Sequence, residues 1–336
     1  MKTILVPLLV FLIPATLLGQ STDPYNQAPG AETFFSTFSI VAYDPATQEL
    51  GVGVQSRAFR TGAAVSYARG GVGAVATQAA TNQSYGPRGL ALLEMGLSPA
   101  EVVKHLTEVD EGRDSRQLAV IDAKGRVATY TGRPITQRPG VYAGSIEGKN
   151  FSVQGNTLAS EEVVKAMARA YETSKGETMA HRLLDALDAG QAAGGDIRGM
   201  QSGGLLVVRP NPNPTTATDR VFDLRVDDAP DPFKELRRLL NIQMAGRQTQ
   251  RSTQLAMEGK FSEAIDAQKQ ALTLNPGHDQ LIYTLAQRYA QAGETRNAIA
   301  SLGEAISKNK RWKQQAADAA EFAKIKELPE FKRLLQ

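Results

Sequence analysis

The side chains of this sequence best placed for chemistry are hydroxyls and amides set beside glycines. They are Thr37, Thr77-Gln78, Asn82 with Tyr85, Gln154-Gly155-Asn156, and the run Gly194-Gly195-Asp196-Ile197-Arg198. Such groups bind polar ligands through hydrogen bonds, and a hydroxyl attacks a carbonyl only when a base stands beside it. Each position also has a plainer role. A threonine opening a strand is a β-branched strand former. Thr77 and Gln78 close an apolar strand, Asn82 and Tyr85 lie in a turn cluster, and a Gly-Gly-Asp run serves as a connection as readily as a cradle. Arg57 and Arg69 also read as solvated charges at strand ends.

Composition removes most other chemistries. None of the 336 residues is a cysteine, which excludes disulfides, thiolate metal sites, iron–sulfur clusters and a cysteine nucleophile. His105, His181 and His278 are far apart in helix-like segments, so no metal site is expected. Thirty-eight Lys and Arg against thirty-five Asp and Glu give a net charge of +3, interspersed, which implies no nucleic-acid partner. No glycine-rich dinucleotide fingerprint or phosphate loop occurs in the right context, and no cofactor is expected.

One lysine followed by an apolar run from Ile4 to Leu18 predicts a secretory signal peptide over residues 1–20, with a polar leader over 21–36. No later stretch is long and apolar enough to span a bilayer, so the expectation is a periplasmic or secreted protein with no membrane span after signal cleavage.

From Thr37 the pattern becomes β-rich. TFSIVAY and LGVGVQS flank the turn cluster DPATQE and predict a hairpin; AAVSYA and VGAVATQ predict a second around Arg69-Gly70-Gly71. A helix over PRGLALLEMG precedes another that Ser98-Pro99-Ala100-Glu101 opens as a capping box and that runs to about Thr107. QLAVID and RVATYT form a third hairpin around DAKG, and FSVQGN a further strand. Helices follow over Glu161 to about Ser174 and Thr178 to Ala189, the second ended by Gly190. The strands LLVVR and RVFDLRV and a helix from Pro232 complete the series. Hairpins outnumber crossovers, which predicts an α+β domain of mainly antiparallel sheets with helices outside.

Beyond about residue 242 every signal is helical. Ala256, Gly259, Ala264, Ile265 and Ala271 recur 34 residues later as Ala290, Gly293, Ala298, Ile299 and Ala305. That period, with small residues at helix contacts, is the tetratricopeptide pattern. Units over 246–279 and 280–313, followed by a capping tail, are expected.

The stretches TFSIVAYD, ELGVGVQSR, YARGGVGAVATQAATNQSYGPRGL, SVQGNTLA, RLLDALDAGQAAGGDIRGMQSGGLLVV and LRVDDAPDPFKELRRLL resemble the family called domain of unknown function 1028 across residues 37–241. The resemblance implies a four-layer αββα sandwich of the N-terminal nucleophile hydrolase kind over 37–241, joined to an all-α tetratricopeptide array over 242–336. It implies that Thr37 Oγ attacks an amide carbonyl while the α-amine of Thr37, once it is the first residue, shuttles the proton. That chemistry requires a cut between Ser36 and Thr37. Arg69 is then expected to depress the amine's pKa and orient Thr37, and the backbone of Gly71 to Gly73 or the side chains of Thr77, Gln78 and Asn82 to supply oxyanion donors. Asp196 and Arg198 become candidates for substrate or structural contacts.

Two functions follow. The first is an exported amidohydrolase acting on a small amide or peptide-like substrate. The alternative is a non-catalytic binding protein whose repeats engage a protein partner.

Overall fold

Turn chemistry decides where the strands of this chain reverse. Asp44 Oδ1 accepts from Ala46 N at 2.8 Å and so closes the turn between β1 (Thr37–Asp44) and β2 (Glu49–Ser56). A short α1 (Thr61–Val65) leads to β3 (Ser66–Arg69) and β4 (Gly73–Ala79), then α2 (Tyr85–Glu94) and α3 (Pro99–Glu108). At α3 the capping box forms: Ser98 Oγ accepts from Glu101 N at 3.4 Å, while Ser98 N donates to Glu101 Oε2 at 2.7 Å. Next come β5 (Arg116–Asp122) and β6 (Val127–Thr131), whose turn is fixed by Asp122 Oδ1 accepting from Lys124 N and Arg126 N. A single helical turn, α4 (Arg133–Thr136), precedes β7 (Tyr142–Gly148) and β8 (Phe151–Leu158). Helices α5 (Glu162–Thr173) and α6 (Met179–Ala192), strands β9 (Ser202–Val208) and β10 (Arg220–Val226), and the long α7 (Pro232–Met257) close this part. The remainder is α8 (Phe261–Leu274), α9 (Asp279–Gln291), α10 (Thr295–Lys308), α11 (Arg311–Asp318) and α12 (Pro329–Leu335).

The computed structural model describes residues 37–174, 178–211, 213 and 218–336. The expected signal segment and leader, and the cut before Thr37, involve residues outside these. The described residues belong to one compact unit.

The strands form two sheets, ordered β10-β9-β2-β1-β8-β7 and β3-β4-β5-β6, and every pairing is antiparallel. Strand alternation divides the side chains among three apolar layers. Phe38, Ile40 and Val153 point outward from the six-stranded sheet against Met167, Leu183 and Leu236 of α5, α6 and α7. Val75, Leu118 and Val120 point outward from the four-stranded sheet against Tyr85, Leu90 and Leu106 of α2 and α3. Between the sheets, Val41, Val52 and Val54 meet Ala74, Ala76 and Ala119. The alanines let the sheets approach.

Two local expectations are corrected, and two elements are added. The segment Thr61–Val65, read in part as strand, is helix α1. Strand β7 and the turn α4 were not anticipated. Gly190 does not end its helix, which continues to Ala192; a Cβ there would lie 2.7 Å from Met167 Cγ, so the glycine serves the close packing of α6 on α5.

The 34-residue recurrence is structural. Helices α8 and α10 begin and end 34 residues apart, and the turns before them carry matching hydrogen bonds. Gly259 N donates to Ala256 O and Gly293 N to Ala290 O; Lys260 N donates to Leu255 O and Glu294 N to Tyr289 O. Both glycines have left-handed φ, 75° and 79°, which explains the residue type at these two turns. The boundary expected at 241/242 falls inside α7, a continuous helix. Its first turns bury Phe233, Leu236 and Leu240 against the six-stranded sheet, and farther along Ala245 packs with Ala271 and Leu281.

Two glycine substitutions should separate packing from propensity. Gly246 lies exposed within α7 with open space at its Cβ position, so Gly246→Ala is expected to stabilise by about 1 kcal/mol. At Gly86 a Cβ would lie 2.2 Å from Tyr67 Cγ, and Gly86→Ala is expected to destabilise by about 1–3 kcal/mol despite being helical. Urea denaturation of each variant measures both.

Candidate functional site

The space between the sheets is apolar along most of its length and polar at one end. Thr37 and Ser39 of β1, Ser56 of β2, Gln78 of β4, Gln117 of β5, Gln154 and Asn156 of β8, and Ser202 of β9 gather there, all buried. Their strands run antiparallel, so this end collects the starts of β1, β5 and β9 and the ends of β2, β4 and β8.

Thr37 stands at the head of β1, next to the middle of the six-stranded sheet and only 2% exposed. It pairs with Ser56 on one side and Asn156 on the other, and its Oγ1 donates to Ser56 Oγ at 3.1 Å. Its carbonyl oxygen accepts from Gln78 Nε2 at 3.1 Å, across the gap from the other sheet, and from Asn156 Nδ2 at 3.5 Å. Gln78 Nε2 also donates to Gln117 Oε1 at 2.7 Å, and Gln78 Oε1 accepts from Ser39 Oγ at 2.7 Å. Gln154 Nε2 returns across the gap to Ala76 O at 3.1 Å. The sheets are thus cross-linked by side-chain amides around Thr37.

Backbone strain concentrates at the same place. Asn156 and Gln78, whose amides hold the Thr37 carbonyl, are each followed by a non-glycine residue in the left-handed region: Thr157 at φ 55° and Ala79 at φ 65°. For a β-branched residue this is rare, and such conformations cost on the order of 1–3 kcal/mol each. Beside Thr157 the β7–β8 register shifts, which re-aims the end of β8.

Asp196 and Arg198 lie across the same end. Leu158 of β8 forms a bridge with Asp196, and Ile197 N donates to Thr157 O. On the β2 side, Arg57 N donates to Asp196 Oδ2 at 3.2 Å. The segment therefore spans from β8 to β2, the two strands that flank β1 at Thr37. The fully buried Asp196 carboxylate is neutralised by Arg198, Nη2 to Oδ2 at 2.9 Å, and also accepts from Arg198 N at 2.8 Å. Of the residues singled out from sequence, Thr37, Gln78, Gln154, Asn156, Asp196 and Arg198 lie at this end.

The other expected site residues lie elsewhere. Arg69 pairs with Gly73 at the opposite end of β4, five residues and about 16 Å from Gln78 at 3.3 Å per residue, and its guanidinium is bound to Glu94 at 2.5 Å. It neither orients Thr37 nor sets the charge around it. Gly71 to Gly73 share that remote end. Thr77 is adjacent to Gln78 but faces the other side of its sheet, where Oγ1 donates to Asn82 O at 3.2 Å. Asn82 in turn donates to Asp110 Oδ2 at 3.1 Å, a carboxylate that also receives Tyr85 Oη and Arg116 Nε. These residues brace α2 and α3 against the sheet. Ser56, Gln117 and Ser202 were not anticipated. Ser56 closes the apolar run LGVGVQS and Gln117 opens the apolar run QLAVID, so neither carries an alternating polar signal. Among the described residues no group of three or more His, Asp or Glu could hold a metal ion, and no helix is long and apolar enough to cross a membrane.

Burial alone would raise the pKa of Asp110, but hydrogen bonds from Arg116, Tyr85, Asn82 and Gly112 outweigh it and hold the carboxyl well below the usual carboxylate range. A depressed native pKa gives stability that is full above the unfolded value of about 3.9 and is lost as pH falls toward the native one. Asp110→Asn is expected to cost about 2–3 kcal/mol at neutral pH and to flatten the loss of stability below about pH 4, as acid and urea titrations would measure.

The family described as a family of unknown function, DUF1028, matches residues 37–236. The crystal structure of protein SPO2555 from Silicibacter pomeroyi, of the same family, is 34% identical, with 61% of this chain and 84% of that chain covered and a TM-score of 0.54. No curated protein matches. The polar end, Thr37 and the Asp196–Arg198 segment all fall inside the matched residues, and the chain belongs to the DUF1028 family.

Proposed function

We propose that this chain is an exported N-terminal nucleophile-type amidohydrolase that cleaves a small amide or peptide-like C–N bond, with Thr37 as nucleophile. The observation that carries the proposal is the position of Thr37: a nucleophilic hydroxyl heading a central strand, held by Ser56 and by amides of both sheets beside two strained residues. Two antiparallel sheets face to face with helices outside each support reading the domain as the four-layer αββα sandwich of such hydrolases.

In this mechanism a cut between Ser36 and Thr37 frees the α-amine, whose ordinary pKa of about 7.7–8.0 makes it a base at neutral pH. Thr37 Oγ attacks the substrate carbonyl and its proton passes to the amine, directly or through one water. As the C–N bond breaks, the ammonium returns that proton to the leaving nitrogen and an ester remains on Thr37. Water attacks the ester and loses a proton to the amine; the ester C–O bond to Thr37 breaks, the ammonium returns that proton to Thr37 Oγ, and the acid leaves. Both Nε2 protons of Gln78 are already given to Thr37 O and Gln117 Oε1, so Gln78 positions the nucleophile and is not the oxyanion donor. Asp196 and Arg198 close the site across β2 and β8 and border the substrate.

The 34-residue units are read as tetratricopeptide repeats that bind a protein partner. A hollow of about 300 Å³ lined by Gln280, Tyr283, Thr284, Gln287, Arg311 and Trp312 supports that role. It also supports the second reading, a non-catalytic exported scaffold. A panel of amino-acid amides and p-nitroanilides separates the two: wild type releases amine, Thr37→Ala abolishes release, and Thr37→Ser retains part of it. Turnover that survives Thr37→Ala contradicts the assignment.

A further inference from the structure

Gln117 does not touch Thr37, yet it decides which way the groups that do touch it point. Its Oε1 accepts from Gln78 Nε2 at 2.7 Å and from Asn156 Nδ2 at 3.0 Å. Those are the two amide nitrogens that also donate to the Thr37 carbonyl. Its Nε2 donates to Gly155 O at 2.9 Å and Thr131 Oγ1 at 3.0 Å, with Gly144 O a longer third acceptor at 3.3 Å, so its own orientation is fixed by the backbone of β8 and β7 and a hydroxyl of β6.

The inventory leaves no freedom. An amide oxygen accepts two hydrogen bonds and an amide nitrogen donates two. If Gln117 were turned over, its NH2 would face two other NH2 groups, and its oxygen would face the Gly155 carbonyl. If Gln78 were turned over, its oxygen would meet those of Gln117 and Thr37, and Ser39 Oγ would lose its acceptor. All three amides are essentially unexposed, so no bulk water compensates a misplaced dipole.

We propose that Gln117 is the positioning residue of this site: by presenting its oxygen to Gln78 and Asn156 it locks both amides onto the Thr37 carbonyl and thereby fixes the direction of the Thr37 hydroxyl. This rests on the reading of Thr37 as nucleophile. Gln117 comes from the four-stranded sheet and Thr37 from the six-stranded one, so the role also couples the site to the stacking of the sheets.

The test is the rate at which a β-lactone acylates Thr37 in the full mature chain, followed by intact mass and peptide mapping. Thr37 Oγ attacks the lactone carbonyl, the ring C–O bond breaks, the ring oxygen takes the hydroxyl proton, and the chain gains the full lactone mass as a Thr37 ester. Gln117→Leu keeps the volume and removes the acceptor; labelling of Thr37 is expected to slow by about tenfold or more, because a displaced nucleophile loses its aligned attack geometry. Gln117→Glu supplies the second arm. Burial keeps its carboxyl protonated well above the usual range, and the neutral acid offers the same acceptor to Gln78 and Asn156 and one O–H donor, to Gly155 O, with the Thr131 hydroxyl free to turn and donate to it. Its labelling rate relative to wild type is expected near unity at about pH 5.5 and to fall by about pH 9, where the ionised carboxylate has no proton for Gly155 O and is repelled by that carbonyl, so that it no longer holds its oxygen toward Gln78 and Asn156. Labelling of a folded Gln117→Leu within twofold of wild type, or a pH-independent ratio for Gln117→Glu, overturns the positioning role alone. Absence of Thr37 labelling in wild type overturns the nucleophile reading, and the role of Gln117 with it.

Discussion

Polar side chains sealed between two sheets have no solvent to turn to, and that constraint organises this domain. An unpaired buried donor costs about 1–3 kcal/mol, so the Ser39 hydroxyl and the amide NH2 groups of Gln78, Gln117, Gln154 and Asn156 find partners in each other and in nearby carbonyls, while Gln154 Oε1 is left without a hydrogen-bond partner. They do so in a pattern that crosses the gap in both directions: Gln78 to Thr37 O one way, Gln154 to Ala76 O the other. Burial of Val41, Val52, Val54 and Ile121 at the apolar end holds the sheets together without specifying a direction. Amide geometry at the polar end supplies the direction, because the Gln78 and Gln117 dipoles each have one orientation that their neighbours accept. Thr37 inherits that precision, and the left-handed Thr157 and Ala79 are the local strain that accompanies it.

The second organising element is α7. Its first turns pack directly behind the polar end: Phe233 lies edge-on to Phe38, the residue after Thr37, with ring centroids 6.4 Å apart, and Leu236 lies against Gly203, the residue after Ser202. The same helix then forms the first helix of the repeats, where Ser252 and Thr253 accept from the buried Arg288 of α9. Desolvation lowers the pKa of Arg288, and hydroxyl and amide partners satisfy its guanidinium. The family match ends within α7, at residue 236, and the repeats grow out of that helix without a linker.

Much of the fold was legible because local chemistry and pattern agreed. The turns at Asp44 and Asp122, the capping box at Ser98 and the helix start at Pro232 each follow from side chains bonding their own backbone. The repeat was legible because Gly259 and Gly293 need the same left-handed turn. What was illegible depends on which elements face each other. Ser152, Gln154 and Asn156 alternate with apolar residues, a pattern that ordinarily marks a solvated sheet face. Here a second sheet covers that face, which no local signal in β8 announces. Thr77 and Gln78 are neighbours in sequence and belong to different layers. Arg69 was expected near Thr37 by analogy of strand order, but strand register places it at the other end of β4. Gln117 was missed because its strand is otherwise apolar, and its role exists only once β5 is stacked over β8.

All of the proposed chemistry needs the nitrogen of Thr37 to be a free amine beside its own hydroxyl. The first residue of the mature, hydrolytically active protein, read by N-terminal sequencing and intact mass, tests this most directly. The account predicts a chain that begins at Thr37. An active preparation that retains the bond between Ser36 and Thr37 would contradict it.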